Sequence, residues 1–143
     1  MTVYLCGGIN GLSDSDCRDW REVAKSLLRA DTLDPMRRDY RGREDEHVTD
    51  IVLLDIVDIE KSHVLLVNAT KPSWGTAMEL FYCAHVLAKP VIAWVGHGRV
   101  SPWLRYFSSE CHESLEMACA AINARGDAAA EERAGDPDIT VGV

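Results

Sequence analysis

The sequence predicts an α/β fold, a parallel sheet with helices on both faces. Two observations carry this. Residues 3–6, 64–67 and 91–95 are short, continuous apolar runs, as strands buried on both faces require. Between them lie stretches whose apolar residues recur every three or four positions, the period of a helix with one buried face. The resulting order is strand, helix, four times over, and a parallel sheet satisfies such alternation. With 143 residues, 47% of them apolar, the chain suits one core; the domain is expected to span 1–125.

Taken in order, residues 3–6 form the first strand, and Gly7-Gly8 ends it in a tight turn. Ser13 or Asp14 can cap the helix that follows, whose apolar positions are Cys17, Trp20, Val23, Ala24, Leu27 and Leu28. Residues 32–35 read as a short second strand stopped by Pro35, and 36–47 as a polar, basic loop. A helix over 48–62 has apolar positions Ile51, Val52, Leu54, Ile56, Val57 and Ile59, which leave Asp50, Asp55 and Asp58 for the other faces. A third strand (64–67), a turn-rich loop (68–75), a helix (76–87) and a fourth strand (91–95) follow, then a last helix over 113–124. From Gly126 the chain is rich in Ala, Gly, Asp and Glu without apolar periodicity, which predicts a flexible acidic tail over 126–143.

Composition narrows the function. A net charge of -8 disfavours binding to a phosphate backbone, so no nucleic-acid partner is expected. The apolar runs are too short to span a bilayer, and MTVYLCGG has no basic segment ahead of a long apolar one, so a soluble, cytoplasmic protein is expected. The five cysteines include no CxxC pair and share no zinc spacing with the histidines; reduced buried thiols, no metal and no cofactor are expected.

In a doubly wound sheet, ligands bind at the carboxyl ends of the strands. That rule points to Gly7, Gly8 and Asn10, to Asp34 and Arg37, to Ser73 and Gly75, and to residues 96–98. Glu79 falls near the start of the third helix, where a carboxylate is either an ordinary helix-start acid, partnering Thr76 in a capping box, or a functional group. Asp55 and Asp58, one turn apart, are either a solvated face or acids reaching the same cleft. Tyr4 is a core aromatic or a donor to a carboxylate or sugar. The run Arg37-Arg38-Asp39-Tyr40-Arg41-Gly42-Arg43 is a solvated loop or an anion clamp. Two carboxylates flanking a sugar suit glycosidic chemistry, one attacking the anomeric carbon and the other handling the leaving group's proton.

Four segments together, VYLCGGINGL (3–12), TLDPMRRDYRG (32–42), IVLLDIVDIEKSHVLLVNATKPSWGTAMEL (51–80) and KPVIAW (89–94), resemble the nucleoside 2-deoxyribosyltransferase superfamily. The most specific piece is an aspartate ahead of the third strand followed after it by PSxGTxxE. The resemblance implies a flavodoxin-like fold and a double displacement on a 2'-deoxynucleoside, with a second nucleobase as acceptor. It implies Glu79 as nucleophile, Asp55 as the acid at the base, and Tyr4 as the residue positioning the nucleophile. Gly7, Gly8, Asn10, Asp34, Arg37, Asp58, Ser73, Gly75 and Met78 are the substrate-binding positions expected with it. One branch hydrolyses deoxynucleoside 5'-monophosphates, with a first loop like CGSIRG; here Gly8 and Asn10 replace its serine and arginine, which favours an uncharged 5'-hydroxyl. Members form homo-oligomers with shared sites, and Trp103, Tyr106 and Phe107 are core or interface. A non-catalytic nucleotide-sensing domain is the rival class.

Overall fold

A computed structural model of the chain describes residues 1–135. Five parallel strands form one sheet: β1 (Thr2–Gly7), β2 (Asp31–Leu33), β3 (Val64–Asn68), β4 (Val91–Trp94) and β5 (Glu110–His112), in the order β2-β1-β3-β4-β5. This is the flavodoxin-like order, and the fold class expected from alternation holds. Alternation of side chains along β1 divides the core. Val3 and Leu5 pack against Trp20 and Ala24 of α1 (Asp14–Leu27) and Ala118 and Ile122 of α5 (Leu115–Gly135). Tyr4 and Cys6 face the other layer, with Ile59 of α2 (Val48–Lys61) and Leu80 of α3 (Trp74–Phe81).

The helix starts follow local chemistry. Ser13 caps α1 by accepting from the Asp16 amide at 3.1 Å. Ser73 caps α3 by accepting from the Thr76 amide at 3.4 Å, so α3 begins at Trp74 and Glu79 stands in its second turn. The capping-box partnership of Thr76 and Glu79 is therefore absent, and the Thr76 hydroxyl is buried without a partner. After Phe81 the helix continues as one π-helical turn, Tyr82–Val86.

Three elements depart from expectation. β5 is a fifth strand, only three residues long, and α4 (Pro102–Phe107) is a short helix before it. Neither is long enough to show a period. The last helix runs through Gly126 to Gly135, ten residues into the stretch expected to be a flexible tail. That stretch is rich in Ala and Glu, which favour a helix without any apolar face to bury. Residues 136–143 of the expected tail lie outside the described residues. No described helix is long and apolar enough to cross a membrane.

Because β1 sits between β2 and β3, the connections leave it in opposite directions and a crevice opens at its carboxyl end. Gly7 of β1 is opposite Asn68 of β3 there. A Cβ on Gly7 would come within 2.7 Å of the Trp20 ring, so only glycine lets β1 end at this place.

Candidate active site

A cavity of about 160 Å³ lies in that crevice, lined by Asp55 and Glu79. Gly7, Asn10, Ser73 and Gly75 form one wall. Tyr40, Arg41 and Glu44, from the loop between β2 and α2, form another. Residues 55 and 79 are distant in sequence and arrive from two helices on the same face of the sheet. Gly75 lies over the nucleophile candidate: a Cβ there would sit 3.8 Å from Glu79 Oε1. A ligand can therefore approach the carboxylate closely.

The loop is held in place by ion pairs. Arg41 binds Asp39 and Asp14, each at 2.7 Å, and Arg18 binds Asp39 at 3.1 Å and Asp14 at 2.9 Å. This four-membered ring ties the loop to the first turn of α1. Tyr40 packs on His47, ring centroids 4.8 Å apart.

Electrostatics separate the acids. Burial, and then the charge of Asp55, push the Glu79 carboxyl up to about 7, against weaker downward pulls from Cys6 and Tyr4. Burial also raises Asp55, although Arg38 at 3.0 Å pulls it back. Tyr4 is fully buried; desolvation, then the charge of Glu79, hold its phenol in the neutral form. Its hydroxyl is beside both acids yet has no partner at full hydrogen-bond geometry. The Cys6 thiol, also buried, contacts the Thr76 carbonyl at 3.8 Å and is kept protonated by its burial and by Glu79. The result is a cavity with two acids raised by burial, one of them partly offset by Arg38, and two neutral donors, Tyr4 and Cys6, buried behind them.

Other expected positions lie elsewhere. Gly8 lines a neighbouring cavity instead, where an added Cβ would lie 3.7 Å from the Ser73 Cβ. Asp34 caps the turn after β2 through the Met36 amide and pairs with Arg21 at 3.4 Å and Lys25 at 2.7 Å. Asp58 is buried between Arg37 (2.6 Å) and Arg38 (2.8 Å). Arg37 is thereby spent on Asp58 rather than turned to the cavity. Met78 is 66% exposed on the outside of α3. The glycine turn at 96–98 borders a separate groove. Sequence reasoning named Tyr40, Arg41 and Glu44 at most as part of the polar, basic loop over 36–47. Among the described residues no cluster of three or more His, Cys, Asp or Glu is arranged to hold a metal ion.

No family model matches the sequence, and no curated protein does. Among solved structures, the chain is similar to the 2-deoxyribosyltransferase of Bacillus psychrosaccharolyticus, with a TM-score of 0.66 and 16% identity over 83% of this chain and 90% of that one. It is also similar to the CMP N-glycosidase BcmB of Clostridium botulinum, with a TM-score of 0.54 and 12% identity over 86% of this chain and 99% of that one. At such identities the likeness speaks for the fold: this chain has the architecture of a 2-deoxyribosyltransferase and of a CMP N-glycosidase.

Proposed function

We propose that the protein is an enzyme that cleaves the N-glycosidic bond of a 2'-deoxynucleoside and transfers the sugar to another nucleobase. The observation that carries this is the shared cavity of Glu79 and Asp55. On this reading the Glu79 carboxylate forms a bond to C1' as the C1'–N bond breaks. The bonding pair leaves with the base nitrogen, which is protonated from the Asp55 side. A ring nitrogen of the second base then attacks C1', releases the carboxylate and gives its proton to Asp55. The cation-like sugar centre is stabilised by the anion beneath it. Tyr4, kept neutral, is placed to steer the Glu79 oxygen.

The two solved structures act on the same class of bond by their names, a 2-deoxyribosyltransferase and a CMP N-glycosidase, and so support an N-glycosidic reaction. Hydrolysis of a 5'-monophosphate is the second reading, and Ser73 in the cavity wall is what favours it. Against it, Arg38 and Arg41, the arginines that line the cavity among the described residues, are both engaged by carboxylates, as is Arg37.

The chain also exposes Val48 and Val52 of α2, Trp74 and Met78 of α3, and Trp103 and Tyr106 of α4. Apolar surface on this scale supports a homo-oligomer, which sedimentation would detect. The functional test is to incubate the protein with a deoxynucleoside and a different free base and separate the products. Base exchange supports the transferase. Free base released only from the monophosphate supports the hydrolase. Binding without turnover supports a nucleotide sensor.

A further inference from the structure

The catalytic cavity does not stand alone. A second cavity of about 580 Å³ adjoins it across the wall formed by Asn10, Ser73 and Gly75, which line both. At about 160 Å³ the first is small for a whole nucleoside, since small-molecule sites run from roughly 300 to 1,000 Å³. The two together have the size of a longer ligand.

Orientation follows from the chemistry proposed above, on which this inference rests. C1' must lie at Glu79, and the base must lie toward Asp55, Tyr40 and Glu44. The far end of the sugar, with its 5' carbon, then points at Asn10, Ser73 and Gly75. Whatever is attached to that carbon enters the second cavity.

The lining of that cavity selects among attachments. Trp94, half-buried, presents indole surface in the wall, and Trp74, 85% exposed, stands at its edge, while Trp20, 7% exposed, contributes only a sliver of the floor. Such surfaces accept a flat ring. The charged groups are Asp16, Asp19 and Lys71, with Lys71 at 3.6 Å from Asp16. Two carboxylates against one ammonium leave a net negative lining. A terminal phosphate, carrying about 1.5 to 2 negative charges at neutral pH, is disfavoured there. A phosphodiester carries only one, and a ring bearing amino groups can donate to the carboxylates.

We propose that the second cavity binds a nucleoside joined through a single phosphodiester to the 5' carbon of the deoxynucleoside being cleaved. The preferred substrate is then a dinucleoside monophosphate, in which the 5' linkage stays intact and the C1'–N bond breaks.

The test compares base release from the four deoxynucleosides, their 5'-monophosphates, and the same deoxynucleosides carrying adenosine through a 3'→5' phosphodiester. The expected result is a kcat/KM for the dinucleoside at least 10-fold above that of the parent nucleoside, with the monophosphate lowest. Tryptophan fluorescence should be quenched by the dinucleoside and not by the nucleoside. Ser15 is exposed, lines this cavity, and makes its one side-chain hydrogen bond among the described residues with Ser13, so Ser15→Phe fills the space from the outside rather than from the core. That variant should bring the dinucleoside down to the nucleoside's value and remove the quenching.

A dinucleoside no better than the nucleoside overturns the inference and leaves the proposed reaction standing. An advantage that survives Ser15→Phe overturns the placement. If nothing is cleaved but the dinucleoside quenches and Ser15→Phe abolishes the quenching, the cavity assignment holds and the reaction falls. No cleavage and no quenching overturn both.

Discussion

Two pairs of carboxylates near the end of the sheet are treated in opposite ways. Asp34 and Asp58 are 8% and 4% exposed, and each is held by two cations: Arg21 and Lys25 for the first, Arg37 and Arg38 for the second. Asp55 and Glu79 share one cavity; Asp55 has part of Arg38, and Glu79 has no cation at ion-pair distance among the described residues. The difference teaches where function lies. Compensated acids hold the turn after β2 and the α2 layer together. An acid whose compensation is withheld has a raised pKa and a reason to react with a positive centre.

Glu79→Gln tests the uncompensated side most severely. Loss of a nucleophile should lower kcat by roughly four orders of magnitude or more, read by base exchange. The same variant should be more stable than the wild type at pH 8. Glu79 has a folded pKa raised from the ordinary 4.5 to about 7, so its stabilising contribution is present below 4.5 and lost as pH rises through 7. Glutamine avoids that loss, worth about 1–3 kcal/mol after allowance for partial exposure, read as a higher unfolding midpoint. A variant that is inactive and less stable would mean the carboxylate is structurally paired after all.

Asp34→Ala tests the compensated side. It strands Arg21, which is fully buried and otherwise donates only to the carbonyls of Cys17, Leu5 and Gly7. Breaking one partner from a buried pair costs about 3–5 kcal/mol, which urea unfolding would resolve. If stability falls by less while KM rises sharply, Asp34 belongs with the substrate, as the sequence alone suggested.

Asp55→Asn should slow turnover by roughly 100-fold, as for a positioned acid or base. The pH profile sharpens it. On the proposed reaction turnover needs ionised Glu79, so kcat/KM should rise with pH through about 7 in the wild type. The charge of Asp55 is the second cause of that raised value, after burial. Removing it should move the acid limb to lower pH. A limb that stays in place would separate the two carboxylates electrostatically.

Much of this division was legible before the structure, though not evenly. The sheet was readable because residues 64–67 and 91–95 are buried on both faces and so are apolar throughout. β5 escaped because Glu110 and His112 pair with each other at 2.9 Å and keep its short run polar. The pairing of Glu79 with Asp55 came from motif resemblance; spacing could not show it, since an acid on a helix is usually solvated. Arg37 and Asp58 looked like site residues because a basic loop and an acidic helix face each read as free until tertiary contact neutralises one with the other. Tyr40, Arg41 and Glu44 reach the cavity only because a ring of ion pairs folds their loop onto α1. That is a long-range arrangement with no local period.

Tyr4→Phe is the gentlest test and distinguishes a core aromatic from a working hydroxyl. The ring packs with Ile59, Leu65 and Leu80, and phenylalanine keeps all of that packing. The hydroxyl is buried without a full hydrogen bond, so its removal should leave stability unchanged or slightly raised. Its pull on Glu79 is downward, so the acid limb should move up in pH when it is lost. This shift is opposite in sign to that of Asp55→Asn. At a pH well above the limb, kcat should still fall by roughly 10-fold, the size of one lost hydrogen bond to a charged oxygen that is made only with substrate in place. A purely structural tyrosine would move neither the limb nor the plateau.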